Sequence, residues 1–245
     1  MMPAGWFKVV HVKGEHAQKL RALLHSRRCL HDKRLDLENH IRGTLRSFGL
    51  KLGRVTLTDF EVRVRELIGE DVDLALCLGP LLEARWRMHE QYRLLQARVM
   101  RIVRQDEIWR RLMTVPGVGP LTALTYKTAI DDPTRFAKSR SVGAHFGLTP
   151  RKHASGEVNF NGRITRSGDA MARDHLFEAA RSLLTRSKRQ CALKAWGLRV
   201  AKRSSLRKAK VAVARKLSII LHRMWVDGTD FWLSGTPDAP AQSAA

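Results

Sequence analysis

Residues 106–130 read DEIWRRLMTVPGVGPLTALTYKTAI, and the PGVGP at their centre organises the fold around it. A helix, DEIWRRLMTV, leads into the turn, and a second helix, LTALTYKTAI, starts at Leu121. Gly117 and Gly119 permit a tight hairpin whose backbone amides can approach an anion closely. The following helix adds its positive N-terminal end. Leu112, Val115 and Val118 suit the contact between the two helices, and the small Ala123 lets them approach. Residues 112–130 thus have the form of a helix-hairpin-helix. Gly117, Val118 and Gly119 are its candidate phosphate-binding residues, the bland alternative being an ordinary Gly/Pro turn.

Upstream, residues 14–105 are predicted as a helical arm. Leu23, Leu30 and Leu37 fall seven apart, and Leu37, Ile41, Leu45 and Phe48 continue the seam. The Gly-rich SFGLKLGRVT, residues 47–56, predicts a turn. A second helical region runs from Phe60 toward Val103, with a break expected at Gly79-Pro80 because proline cannot donate to the helix ladder. The pattern fits an antiparallel helical hairpin, serving either as a bundle core or as a coiled-coil dimerisation arm. Ahead of it, Trp6 to Val12 (WFKVVHV) reads as a strand or extended linker without a partner strand, so residues 1–13 are set apart.

Downstream, Pro133 should end the second helix. Residues 147–169, GLTPRKHASGEVNFNGRITRSGD, read as a loop or short hairpin. Helix resumes at Ala170 and again over roughly Leu206 to Val226, within a domain spanning 106–235. The Pro/Ala/Ser-rich 236–245 is expected to be disordered. The predicted class is all-α.

Composition narrows the function. Among 245 residues, 45 Lys and Arg face 23 Asp and Glu, a formal charge of +22. That balance draws polyanions, nucleic acid before acidic membrane. The longest apolar run, Leu74 to Leu82, is far too short to span a bilayer. The start has no signal-peptide pattern, and Cys29, Cys77 and Cys191 form no CxxC pair, which points to a reducing cytoplasm. Between Glu178 and Asp227 fourteen Lys and Arg occur without one acid. Lys202, Arg203, Arg207, Lys208 and Lys210 are candidates there for phosphate contacts with steep salt dependence. A membrane-surface role for this tract is disfavoured because no large aromatic face adjoins it.

Ser155 is the candidate nucleophile. It lies in RKHASGEVNFNGRITRSG with Arg151, Lys152, Arg163 and Arg166 to neutralise a phosphate and His153 as a conceivable base. By local sequence alone a Ser-Gly is an ordinary turn. The carboxylates, among them Asp32, Asp36, Glu38, Asp59, Asp106 and Glu107, sit on helical patterns among Lys and Arg, so no metal site is expected.

Residues 112–180 also carry a resemblance. The PGVGP hairpin, Arg135-Phe136, GLTP, Ser155-Gly156, Gly162-Arg163-Ile164-Thr165, Gly168-Asp169 and Glu178-Ala179-Ala180 are ordered as in the C-terminal domain of transposases of the insertion-sequence 110 family, also called insertion-sequence 116/110/902. The first half, VHVKGEHAQKLRALLHSRR and LENHIRGTLRSFGLKLG, is similar to the segment that precedes that domain. The resemblance implies a recombinase of mobile DNA guided by a structured RNA, with Ser155 joining DNA covalently. It also implies a coiled-coil arm and a RuvC-like nuclease domain whose four acids bind magnesium.

That nuclease domain is expected to be missing, since the chain starts at a point resembling the stretch just after its last acids. Glu157 replaces the second glycine the family commonly has after the serine. The expectation is therefore a chain in the cytoplasm at the nucleoid that binds DNA or guide RNA and needs no cofactor of its own. It would assemble through its arm with itself or with a full-length transposase, and transposition by the isolated chain is not expected. The alternative is an inert nucleic-acid-binding relic or an inhibitor of transposition.

Overall fold

The computed structural model describes residues 11–155 and 158–233. Among them, nine α-helices accompany a single two-stranded sheet, so the chain is all-α as the periodicity predicts. Among the described residues no helix is long and apolar enough to cross a membrane. Residues 1–10, 156, 157 and 234–245 lie outside the described residues, and with them most of the predicted N-terminal strand or linker, Glu157 and the predicted tail.

The chain divides into two compact units, residues 22–100 and the remainder. The first is built from α1 (Glu15–Ser47), α2 (Phe60–Ile68) and α3 (Val72–Gln105). Arg27 bonds Tyr92 and Gln96, and Glu38 pairs with Arg85, so α1 and α3 run antiparallel. Where α2 joins them, Ile41, Leu45, Phe60, Val64, Leu74, Leu78 and Leu82 make one apolar core. Beside it Arg85 is only 1% exposed. Its Nε donates to Glu38 at 2.8 Å, its Nη2 donates to the Leu57 carbonyl at 2.8 Å, and its guanidinium lies 4.3 Å from the centre of the Phe60 ring. Arg34 donates to the same Glu38 oxygen at 2.6 Å.

The break expected at Gly79-Pro80 does not occur. Helix α3 passes through Pro80 without interruption. Pro80 is on the exposed side, and the Leu76 carbonyl it deprives of a donor belongs to a residue 74% exposed, where water can serve instead. The real break is ten residues earlier. Gly69 ends α2 at a φ of 57°, and the Asp71 side chain caps α3 by accepting from the Leu74 amide at 2.9 Å.

The second unit holds α4 (Glu107–Leu112), α5 (Pro120–Ile130), the short α6 (Val142–His145), the hairpin β1 (Pro150–Ser155) and β2 (Val158–Ile164), then α7 (Ala170–Thr185), α8 (Ala192–Arg203) and α9 (Leu206–Asp227). Helix α5 is almost wholly buried and packs on α7, which in turn packs on α9. The Tyr126 hydroxyl donates to the Ser218 carbonyl at 2.6 Å inside this core, and burial pushes the phenol pKa well up. Helix α8, which the periodicity did not resolve, is capped by Cys191 and packs on α9.

Candidate functional site

The α4–α5 turn forms where the sequence predicts it. Gly119 caps α5, Pro120 opens it, and the Val118 amide donates to the Val115 carbonyl at 3.0 Å. Gly117 has a φ of 92°, and a β-carbon there would stand 2.5 Å from the Ala179 carbonyl oxygen and 2.9 Å from the Leu183 nitrogen. The glycine is required by the close approach of the turn to α7. Around Gly119 the space is open.

The β-hairpin is firmly anchored at its base. The Thr165 amide donates to the Thr149 carbonyl at 2.9 Å, and the Arg166 amide donates to the Gly147 carbonyl at 3.1 Å. Gly147 and Gly168 both adopt positive φ in contacts that no side chain could occupy. At Gly168 a β-carbon would fall 2.0 Å from the His145 carbonyl oxygen. Arg173 clasps the carbonyls of Phe146 and Ser167. Asp169 caps α7 through the Ala172 amide at 2.9 Å and pairs with Arg21. Burial would raise the Asp169 carboxyl, but the Ala172 amide and Arg21 outweigh it and hold the pKa below the usual range.

Nearby, the segment that enters α1 is tied down by Asp131, which accepts from the Gly14 amide at 2.9 Å and meets His11 at 2.9 Å. Burial opposes ionisation of Asp131, yet these partners keep its pKa low. His145, between α5 and the hairpin base, is pushed down by burial first and then by Arg135 and Lys13.

Ser155 ends β1 at the far, exposed end of this hairpin, opposite Val158 in the register. Lys152 lies on the opposite strand face from Ser155 by the two-residue alternation, while Arg151 falls in the irregularity between Pro150 and Lys152. Arg151 reaches back to the Thr165 carbonyl at 3.4 Å. The side chain of His153 lies outside the described ones.

Below the hairpin a cleft of about 1280 Å³ opens against α7, α8 and α9. Arg163 and Arg166 enter it from the hairpin side, Arg140 from the loop before α6, and Arg173 from α7. Opposite them, Arg207, Lys208, Arg215 and Lys216 project from α9. One carboxylate, Asp174, lines it with them. Four of the sequence-predicted residues, Arg163, Arg166, Arg207 and Lys208, therefore meet in one place. Lys202 and Arg203 lie exposed at the end of α8, outside that lining, and Lys210 stands beside the Phe177 ring.

Sequence reasoning missed Arg140, Arg173, Arg215 and Lys216. For the last two the signal was available, since 207, 208, 211, 212, 215, 216 and 219 trace one helical face. Among the described residues no three His, Cys, Asp or Glu side chains cluster as a metal site.

Fold and cleft together define a helical protein that gathers positive charge at the foot of a protruding hairpin. Residues 109–196 match the transposase IS116/IS110/IS902 family, so this part of the chain carries that family's domain. The match begins at Trp109 in α4 and ends at Trp196 in α8, so it includes the hairpin with Ser155. The chain is 30% identical over 219 residues to the transposase for insertion sequence element IS1111A of Coxiella burnetii, covering 87% of this chain and 60% of the relative. A putative transposase, y4pF/y4sB, of Sinorhizobium fredii is 31% identical over 230 residues, 91% of this chain and 59% of its own length. The transposase for insertion sequence element IS1328 of Yersinia enterocolitica is 28% identical over 225 residues, 89% and 66%. The chain thus spans about 60% of the first two of these relatives.

Proposed function

We propose that this chain is the strand-handling part of an insertion-sequence transposase, in which the cleft holds the phosphate backbone and Ser155 joins the strand. One observation carries the reading: eight cations against a single carboxylate line a cleft at the foot of the very hairpin that holds Ser155 at its exposed end. Arginines arranged this way grip phosphates without reading base sequence. In the joining step the Ser155 Oγ attacks phosphorus and forms a phosphoserine ester. The bond from phosphorus to the sugar oxygen breaks, and that oxygen leaves as a hydroxyl with the serine's proton. The same cations serve a structured guide RNA. A metal-binding nuclease domain, supplied by another segment or by a full-length partner held through the helical arm, provides the remaining chemistry, in the cytoplasm at the nucleoid.

The test pairs a salt titration of DNA and RNA binding with a joining assay in the presence of a full-length relative. Wild type is expected to bind with affinity falling steeply in salt, and Ser155→Ala to bind equally while losing the covalent protein–DNA adduct. Absence of binding to either nucleic acid at low salt overturns the reading. An adduct that survives Ser155→Ala removes the serine from it. Binding without any Ser155-dependent product favours the inhibitor alternative.

A further inference from the structure

The cleft carries more than charge. Phe177 of α7 and Trp196 of α8 both line it, and each ring has an ammonium group beside it from α9. Lys216 Nζ stands 3.9 Å from the Trp196 ring centre, and Lys210 Nζ 6.0 Å from that of Phe177. Both rings are partly exposed, outside the fully buried core that α5, α7 and α9 share. The cleft volume, about 1280 Å³, exceeds the usual span of small-ligand pockets and suits a polymer segment.

A paired duplex offers such a cleft only its phosphates, because its base faces are already stacked on one another. Cations alone would then suffice, and aromatic rings facing solvent would gain nothing. A base released from pairing has an open face that stacks on a ring, while its phosphate meets the adjacent cation.

Resting on the reading that the cleft holds nucleic acid, we propose that Phe177 and Trp196 are a stacking platform for unpaired nucleobases, so that this site takes strand in its single-stranded form. Lys210 and Lys216 hold the phosphates of the stacked nucleotides. DNA and RNA share this chemistry, and the platform acts on whichever unpaired strand enters.

Affinities of the full chain for a homothymidine strand, a homouridine strand and a duplex of equal length, at one salt concentration, test this. Trp196→Ala and Phe177→Ala are each expected to weaken binding of at least one single strand roughly ten-fold, with duplex affinity changed less than about two-fold. Trp196→Phe, which keeps a ring, should retain most of it. The two single-strand arms tell whether DNA or RNA is the occupant. Equal losses on single strand and duplex, or no loss on either, overturn the platform while leaving the cationic cleft intact. Failure of wild type to bind any of the three overturns cleft and platform together. A second measurement avoids the variants: wild type is photocrosslinked to a strand containing 5-bromouracil and the adducts mapped. Adducts at Trp196 or Phe177 are expected, and adducts confined to other positions overturn the proposal.

Discussion

Arg85 in the helical arm and Arg215 in the cleft share a side chain and differ in their surroundings. Arg85 is buried, paired with Glu38, bonded to a carbonyl and laid over Phe60. Arg215 stands among seven other cations, and among the described residues no ion pair forms to it. Taking a guanidinium out of water is costly unless its charge is paired and its donors find acceptors, and at Arg85 Glu38 and the Leu57 carbonyl supply both. At Arg215 the charge remains available to something brought from outside. A basic sequence therefore contains two populations of arginine, structural and ligand-directed, which carboxylate partnership separates better than density along the chain.

The largest effect that would break this comparison is at Arg85. Arg85→Ala empties a buried site over Phe60, takes the donor from the Leu57 carbonyl and leaves Glu38 to Arg34 alone, and should cost about 3–4 kcal/mol of stability, read as a lowered urea midpoint. Nucleic-acid affinity of the fraction still folded should not change. The cleft gives the opposite result. Arg207→Glu with Lys208→Glu should reduce affinity roughly 100-fold at low salt and flatten the salt dependence by about two ions. The urea midpoint should stay put or rise, because like charges are relieved.

A third substitution sharpens the contrast by moving the cleft wall without altering its charge. Gly168→Ala places a methyl against the His145 carbonyl in a left-handed backbone and should destabilise by about 2–3 kcal/mol. Hairpin amides such as Thr165 should then exchange hydrogen faster than those of α3. Acid is the gentlest probe. Burial holds the His145 pKa down, so as pH falls from about 7 to 5 the unfolded chain binds a proton that the folded one refuses, and stability declines. Asp131 and Asp169 add a second loss at lower pH, when their depressed carboxyls finally protonate. Melting curves between pH 8 and 3 should show both declines, and His145→Gln should shrink the first, leaving the part due to His89, which burial also pushes down.

Much of this was legible beforehand. Amphipathic spacing located α1, the PGVGP turn and Pro133 bracketed α5, the starts of α7 and α9 were legible at Ala170 and Leu206, and the density of Gly and Asn located the hairpin. Pro80 misled because the rule concerning proline assumes a carbonyl that nothing else can serve, and on the exposed side of α3 water serves it. Helix α8 is short and lies inside the basic tract, which drew the reading toward charge, and the reason for its Gly197 is tertiary. A β-carbon there would lie 2.6 Å from Val213 and 2.7 Å from Leu184. The cleft was half legible. Arg207 and Lys208 announced themselves in an acid-free tract, whereas Arg140 and Arg173 come from separate elements, and only folding assembles them. Gly117 shows the same limit from the other direction, since its packing partner, α7, is some sixty residues away.

The anchored base of the hairpin has a consequence for protein engineering. Thr149 and Thr165 close the strand pair through a backbone bond, and the glycines flanking them lock that closure onto the helices. Everything between them behaves as a cartridge. Strand pairs of other lengths or compositions can be grafted at these two threonines, provided that Pro150 and Gly162 to Ile164 are kept for the cleft, changing what the hairpin carries at its end while the helices that receive it stay the same.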